Sequence, residues 1–134
     1  MKKRILFLCT QNSARSQMAE GLLNAFYGDN YEGYSAGVTP TKVNPYAVKS
    51  MAEIGVDISR NRSKSIEEFR GENFNYVVTV CDNARETCPF FPGEEIIHKS
   101  FEDPAQFKGS EEEILKQVRR VRNEINEWIK NRFT

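Results

Sequence analysis

The chain has 134 residues, 39% of them hydrophobic and 28% charged, with 19 basic side chains set against 19 acidic ones. That length predicts one domain, residues 1–134, able to bury about two-thirds of its unfolded surface in a single core, and the composition excludes a disordered or collagen-like chain. A net charge of zero argues against nucleic acid or an anionic membrane as the main partner. The apolar run Ile5-Leu6-Phe7-Leu8-Cys9 follows Lys2-Lys3-Arg4, as in a signal peptide, but Gln11-Asn12-Ser13 cuts it too short for an export signal or a membrane span. A cytoplasmic location is therefore expected. Three cysteines, an odd number, do not make a structural disulfide framework and point to thiol chemistry or a buried thiol.

In chain order, Arg4–Cys9 reads as a short strand buried on both faces of a parallel sheet. Met18, Leu22, Leu23 and Phe26 then recur at helical spacing, with Gly28 at the expected helix end. Tyr31–Val38 predicts a second strand, closed by Pro40. Asn44-Pro45 has the form of an N-cap followed by proline at the first helical position; Val48, Met51, Ala52 and Ile54 supply that helix's apolar face before Gly55. Ser65 with Glu68 resembles a capping box opening a further short helix. Asn75–Cys81 is β-branched and apolar, a third buried strand, and Glu95–Phe101 a fourth. Ser110 with Glu113 forms another capping box before a long helix lined by Ile114, Leu115, Val118, Val121, Ile125, Trp128 and Ile129. Its charges at Arg119, Arg120, Arg122 and Glu124 read as a solvated face, and His98 as a structural histidine. Strands alternating with helices predict an α/β fold, a four-stranded parallel sheet with helices on both faces. Ligands of such sheets bind outside the carboxyl ends of the strands, where Cys9, Cys81 and the segment after Phe101 should converge.

The loop Cys9-Thr10-Gln11-Asn12-Ser13-Ala14-Arg15-Ser16 joins a buried strand directly to a helix N-terminus. Unpaired N–H groups and the helix dipole there favour negative charge, so Thr10 to Ser16 form a candidate oxyanion cradle. The same field favours the thiolate of Cys9, a nucleophile. Arg15 can return to grip two oxygens of a tetrahedral anion through its planar fork, Ser16 can donate to the sulfur, and Asn12 tolerates a left-handed backbone.

Cys9–Arg15 with Ser16-Gln17-Met18-Ala19-Glu20-Gly21, together with Tyr34-Ser35-Ala36-Gly37, Asn44-Pro45, Val56-Asp57-Ile58-Ser59 and the Cys81/Cys88 pair, resembles the low-molecular-weight protein tyrosine phosphatase superfamily. Within it the chain is most similar to the thioredoxin-coupled arsenate reductases. Two positions depart from the pattern: Gln11 stands where many family loops carry glycine, and Ala14 where many carry a further cysteine, so position 14 has no thiol role here.

The Cys81–Cys88 spacing is too wide for a zinc knuckle, which wants roughly two to four intervening residues, and no metal is predicted. Two semi-buried thiols without a role remain an alternative. The resemblance implies instead a relay in which Cys81 attacks the Cys9 sulfur after an oxyanion adds to it, Cys88 then attacks Cys81, and thioredoxin reduces the outer pair. It further implies arsenate as the substrate, no bound cofactor, and Asp103 of Glu102-Asp103-Pro104-Ala105 as the general acid. Ala105 stands where phosphatases of the superfamily usually place an aromatic that packs on a phenol ring, which favours a small inorganic substrate. Some of these reductases bind potassium with residues matching Asn12, Glu20 and Ser35; the position of the remaining aspartate holds Lys64, whose ammonium can stand in for the cation. Two readings stay open beside the reductase: a phosphotyrosine or small phosphomonoester phosphatase, and an oxyanion- or redox-sensing binding module without turnover.

Overall fold

Five consecutive apolar residues, Ile5 to Cys9, suit a strand covered on both sides, because successive side chains point to opposite faces. The computed structural model describes residues 2–82 and 90–133 and shows this separation. In β1, Lys3–Cys9, Ile5, Phe7 and Cys9 enter one buried cluster, while Leu6 and Leu8 enter another on the opposite face. The other strands are β2 (Tyr31–Gly37), β3 (Tyr76–Thr79) and β4 (Glu95–His98), and all pairings are parallel in the order β2-β1-β3-β4. Each of the last three ends earlier than the sequence predicts. Phe101 leaves the sheet altogether and buries itself in the core, and Val38 lies half exposed.

The larger cluster is covered by three helices: α1 (Arg15–Tyr27), α2 (Pro45–Ala52) and α3 (Glu111–Phe133). On the other face a 3-10 turn, Ile66–Phe69, packs with Phe74 and Phe91 over Leu6, Leu8 and Val77. Asn44 caps α2 as expected, its Oδ1 accepting from the Tyr46 and Ala47 amides at 2.8 and 3.4 Å. The Ser110–Glu113 box closes in both directions, at 3.1 and 3.4 Å. The box read at Ser65 is only half formed: Ser65 Oγ accepts from the Glu67 amide, but Glu68 is drawn away to Arg62. A strong charge partner outcompetes the reciprocal cap, and the segment makes one 3-10 turn rather than an α-helix.

Gly28 ends α1 as expected, with right-handed angles, φ −65°. One further expectation changes. The charges of α3 are only partly a solvated face: Arg120 and Glu124 pair at the surface, but Arg122 is buried and donates to the Ser50 carbonyl at 2.7 Å and to Glu53, which also pairs with Arg119. His98 Nδ1 lies 2.7 Å from Thr79 Oγ1, which ties the edge strand to β3. Among the described residues no helix is long and apolar enough to cross a membrane.

Strand order determines where a site can form. From β1 the chain moves outward to β2, then returns past β1 to β3, so the segments leaving the carboxyl ends of β1 and β3 diverge. A crevice opens at such a switch point. Cys9 is the last residue of β1, and Cys81 lies just past β3.

Candidate active site

The loop from Thr10 to Ala14 takes its shape from where its carbonyl groups go. Thr10 O accepts from the Thr39 amide at 2.9 Å, and Gln11 O from Ser63 Oγ at 2.8 Å and the Thr41 amide at 3.4 Å. Asn12 O accepts from Gln17 Nε2 at 3.3 Å, Ser13 O from the Asn44 amide at 2.9 Å, and Ala14 O from the Met18 amide at 2.8 Å. Every carbonyl of the loop is thereby committed outward. In trans peptides the following N–H groups face the other way, toward the concave side, where they form an anion nest. Helix α1 continues it: Ala14, its N-cap, provides no side-chain cap, and no acidic residue occupies its first turn. An external anion is the natural partner of that helix end.

Asn12 makes the bend, with φ of 50° in the left-handed region. Its Nδ2 donates to Ser16 Oγ at 2.8 Å, and Ser16 Oγ lies 2.9 Å from Cys9 Sγ. Cys9 is a free thiol, 2% exposed. Gly37, at the end of β2, lets the loop pass: a Cβ there would lie 2.7 Å from Thr10 O and 2.8 Å from Asn12 N. Gln11, despite replacing the family's glycine, is exposed at the rim, and its carbonyl is anchored as described.

Arg15 opens α1 and is 4% exposed. Its guanidinium donates to the Phe101 carbonyl at 3.4 Å and lies 3.7 Å from Asp103 Oδ2. The departure of residues 99–103 from the sheet is what brings this carboxylate over the loop. Asp103 Oδ1 caps the 3-10 turn Pro104–Gln106 by accepting from the Ala105 amide at 3.0 Å, which aims the other oxygen at Arg15. Cys81 is fully buried in the same cluster as Cys9, its sulfur engaged in a disulfide. The β1–β3 register, with the Val80 amide donating to Leu8 O at 2.8 Å, sets Cys81 one residue beyond the strand position facing Cys9. Cys88, the remaining sequence-predicted site residue, lies outside the described residues.

Behind the loop is a polar layer whose organisation the sequence did not disclose. Gln17, fully buried, donates through Nε2 to Asn12 Oδ1 at 2.8 Å and to the Arg62 carbonyl at 3.0 Å, besides Asn12 O. Asn61 Nδ2 donates to Gln17 Oε1 at 3.1 Å and to Glu20 Oε2 at 3.2 Å. Ser35 Oγ donates to Glu20 Oε1 at 2.8 Å, and Lys64 Nζ lies 3.8 Å from that oxygen. Burial pushes the Glu20 carboxyl above its ordinary range against the opposing pull of Lys64, and burial likewise pushes Lys64 below its ordinary range against the pull of Glu20. Asn12, Glu20 and Ser35 are thus gathered here with the Lys64 ammonium among them, and a bound cation does not fit beside that positive charge.

Together these groups can hold a tetrahedral oxyanion against a thiol, fork two of its oxygens with Arg15 and hand a proton to a leaving oxygen from Asp103. The chain is 48% identical to an arsenate reductase of Halalkalibacterium halodurans over 130 residues, 96% of this chain and 94% of that protein. It is 45% identical to an arsenate reductase of Bacillus subtilis over 129 residues, 96% of this chain and 93% of that one. A solved arsenate reductase in the phosphate-binding state superposes with a TM-score of 0.81 at 31% identity, covering 98% of this chain and 95% of the other. The family model for low molecular weight phosphotyrosine protein phosphatases matches residues 4–133, and the chain belongs to that family.

Proposed function

We propose that this chain, acting as one catalytic domain in the cytoplasm, is a thioredoxin-dependent arsenate reductase. The observation that carries the reading is the free, buried Cys9 thiol under an outward-bonded loop, with Arg15 and Asp103 beside it and a second cysteine, Cys81, just past the neighbouring strand. The loop amides and Arg15 hold arsenate, and the Cys9 thiolate attacks arsenic to form an S–As bond. One arsenate oxygen leaves as water, protonated by Asp103. The Cys81 thiolate then attacks Cys9 Sγ. The S–As bond breaks with its electron pair passing to arsenic, so arsenite departs and the two thiols become a Cys9–Cys81 disulfide. Attack by Cys88 on Cys81 frees the Cys9 thiolate and leaves a Cys81–Cys88 disulfide, which the dithiol of thioredoxin reduces.

A phosphatase needs only Cys9, Arg15 and Asp103, so slow phosphomonoester hydrolysis is expected as a side activity; the family assignment favours that second reading. Single-turnover chemistry separates them. Fully reduced protein mixed with arsenate, without external reductant, should release arsenite in stoichiometric amount and lose free thiols in step. Hydrolysis of p-nitrophenyl phosphate with no arsenite formed from arsenate would establish the phosphatase instead.

A further inference from the structure

We infer that Gln17 is a positioning residue that locks the oxyanion loop in its binding shape before any ligand arrives. This deepens the proposed reading, and rests on it only for the identity of the anion. One amide nitrogen, Gln17 Nε2, reaches both the main chain and the side chain of Asn12, at 3.3 Å to its carbonyl and 2.8 Å to Oδ1. Asn12 is the only non-glycine residue with a positive φ among the described residues, and the curvature of the loop depends on that angle. Holding both ends of the residue fixes the backbone bend and the direction of Asn12 Nδ2, which donates to Ser16 Oγ, itself 2.9 Å from Cys9 Sγ.

The orientation of Gln17 is itself determined. Asn61 donates to Gln17 Oε1 at 3.1 Å, while Nε2 faces a third acceptor, the Arg62 carbonyl, at 3.0 Å. A flipped amide would set its oxygen against three acceptors and leave the Asn61 donor unanswered. With Gln17 fully buried, water cannot substitute for these contacts. A cradle held open in this way does not have to reorganise when an anion enters, which is how fixed dipoles bind charge efficiently.

Calorimetric titration of the reduced full chain with inorganic phosphate, at constant ionic strength, tests the inference without arsenate or thioredoxin. Gln17→Met fills similar volume without donors and should weaken phosphate binding by about tenfold, the scale of a lost buried donor. Asn12→Gly needs no help to hold a positive φ and offers no side chain to hold. Adding Gln17→Met to Asn12→Gly should therefore change phosphate affinity by less than about twofold, the signature of a residue acting through another. Asn61→Ala, which frees the Gln17 amide to rotate, should weaken binding in the same direction and serves if Gln17→Met does not fold. A role in stability alone would lower the melting temperature while the folded variants kept the parent's phosphate affinity. That result, or an undiminished loss in the Asn12→Gly background, would overturn the inference, as would failure of the parent to bind phosphate. A parent that binds phosphate but reduces no arsenate would overturn the reductase reading and leave the role of Gln17 standing.

Discussion

Cys9 and Cys81 share a buried cluster yet sit differently: Cys9 opens the anion loop, with Ser16 Oγ 2.9 Å from its sulfur, whereas Cys81 lies just past β3. Their roles should separate accordingly. Cys9→Ser is expected to abolish both arsenite formation and hydrolysis of p-nitrophenyl phosphate. Cys81→Ser and Cys88→Ser should stop thioredoxin-coupled turnover while slow hydrolysis persists, because the anion site does not use those thiols. Loss of hydrolysis in Cys88→Ser, with the circular dichroism spectrum intact, would falsify this division. The buried pair Glu20–Lys64 makes a second residue-level prediction. A glutamate whose folded-state pKa exceeds its unfolded value binds more protons folded than unfolded between the two. Its contribution to stability is complete in acid below the ordinary glutamate range and is lost as pH rises through the folded-state value. Glu20→Gln cannot titrate there. The stability of the parent minus that of Glu20→Gln, from urea unfolding at several pH values, should therefore decline as pH rises from about 4 toward neutrality. A difference that stays flat or grows would contradict the burial argument. At this scale short spacing and a strand end pointed to Cys9, Arg15 and Ser16, whereas Asp103 entered only through the family resemblance, an Asp-Pro turn being ordinary by itself. The sequence did not disclose Gln17 as more than part of a motif, since its partners Asn61 and Arg62 lie more than forty positions away.

Among the elements, β1 was legible because a central parallel strand is apolar throughout, and α2 and α3 because their caps are written in adjacent residues. The half-formed box at Ser65 was misread because Glu68 found an arginine, a choice that local spacing does not encode. The early ends of the strands escaped for a related reason: Val80 and Phe101 stay buried beyond the strand ends at Thr79 and His98, and apolar character reports burial rather than strand. The segment joining Cys81 to Cys88 carries a prediction of its own. Were 82–87 helical in the reduced protein, the two cysteines would be about 10 Å apart along the axis at about 1.5 Å per residue. A disulfide needs Cα atoms roughly 4.4–6.8 Å apart. Asp82 and Asn83 are weak helix formers and Pro89 blocks extension, so unwinding such an element should cost only about a few kcal/mol. Amide hydrogen exchange should show lower protection across 82–88 in the oxidised than in the reduced protein; equal protection would contradict the coupling of redox state to local order.

At the scale of the whole molecule, alternating strands and helices specified a parallel α/β sheet, but the order β2-β1-β3-β4 is set by long-range pairing that periodicity cannot encode. That order has the functional consequence: it places the ends of β1 and β3 at one switch point, so thiols more than seventy positions apart in sequence come to a single crevice. Asp103 reaches it from a third segment, and the seam of Arg119, Arg122 and Glu53 holds α3 against α2 behind the core. A site built this way should both capture an oxyanion and pass two electrons inward from an external dithiol. The most direct measurement is the oxidation of reduced thioredoxin by the purified protein, followed with and without arsenate. Oxidation that requires arsenate, yields arsenite in equal amount and continues over many turnovers is the predicted result; thioredoxin that stays reduced in the presence of arsenate and a folded, phosphate-binding protein would contradict it.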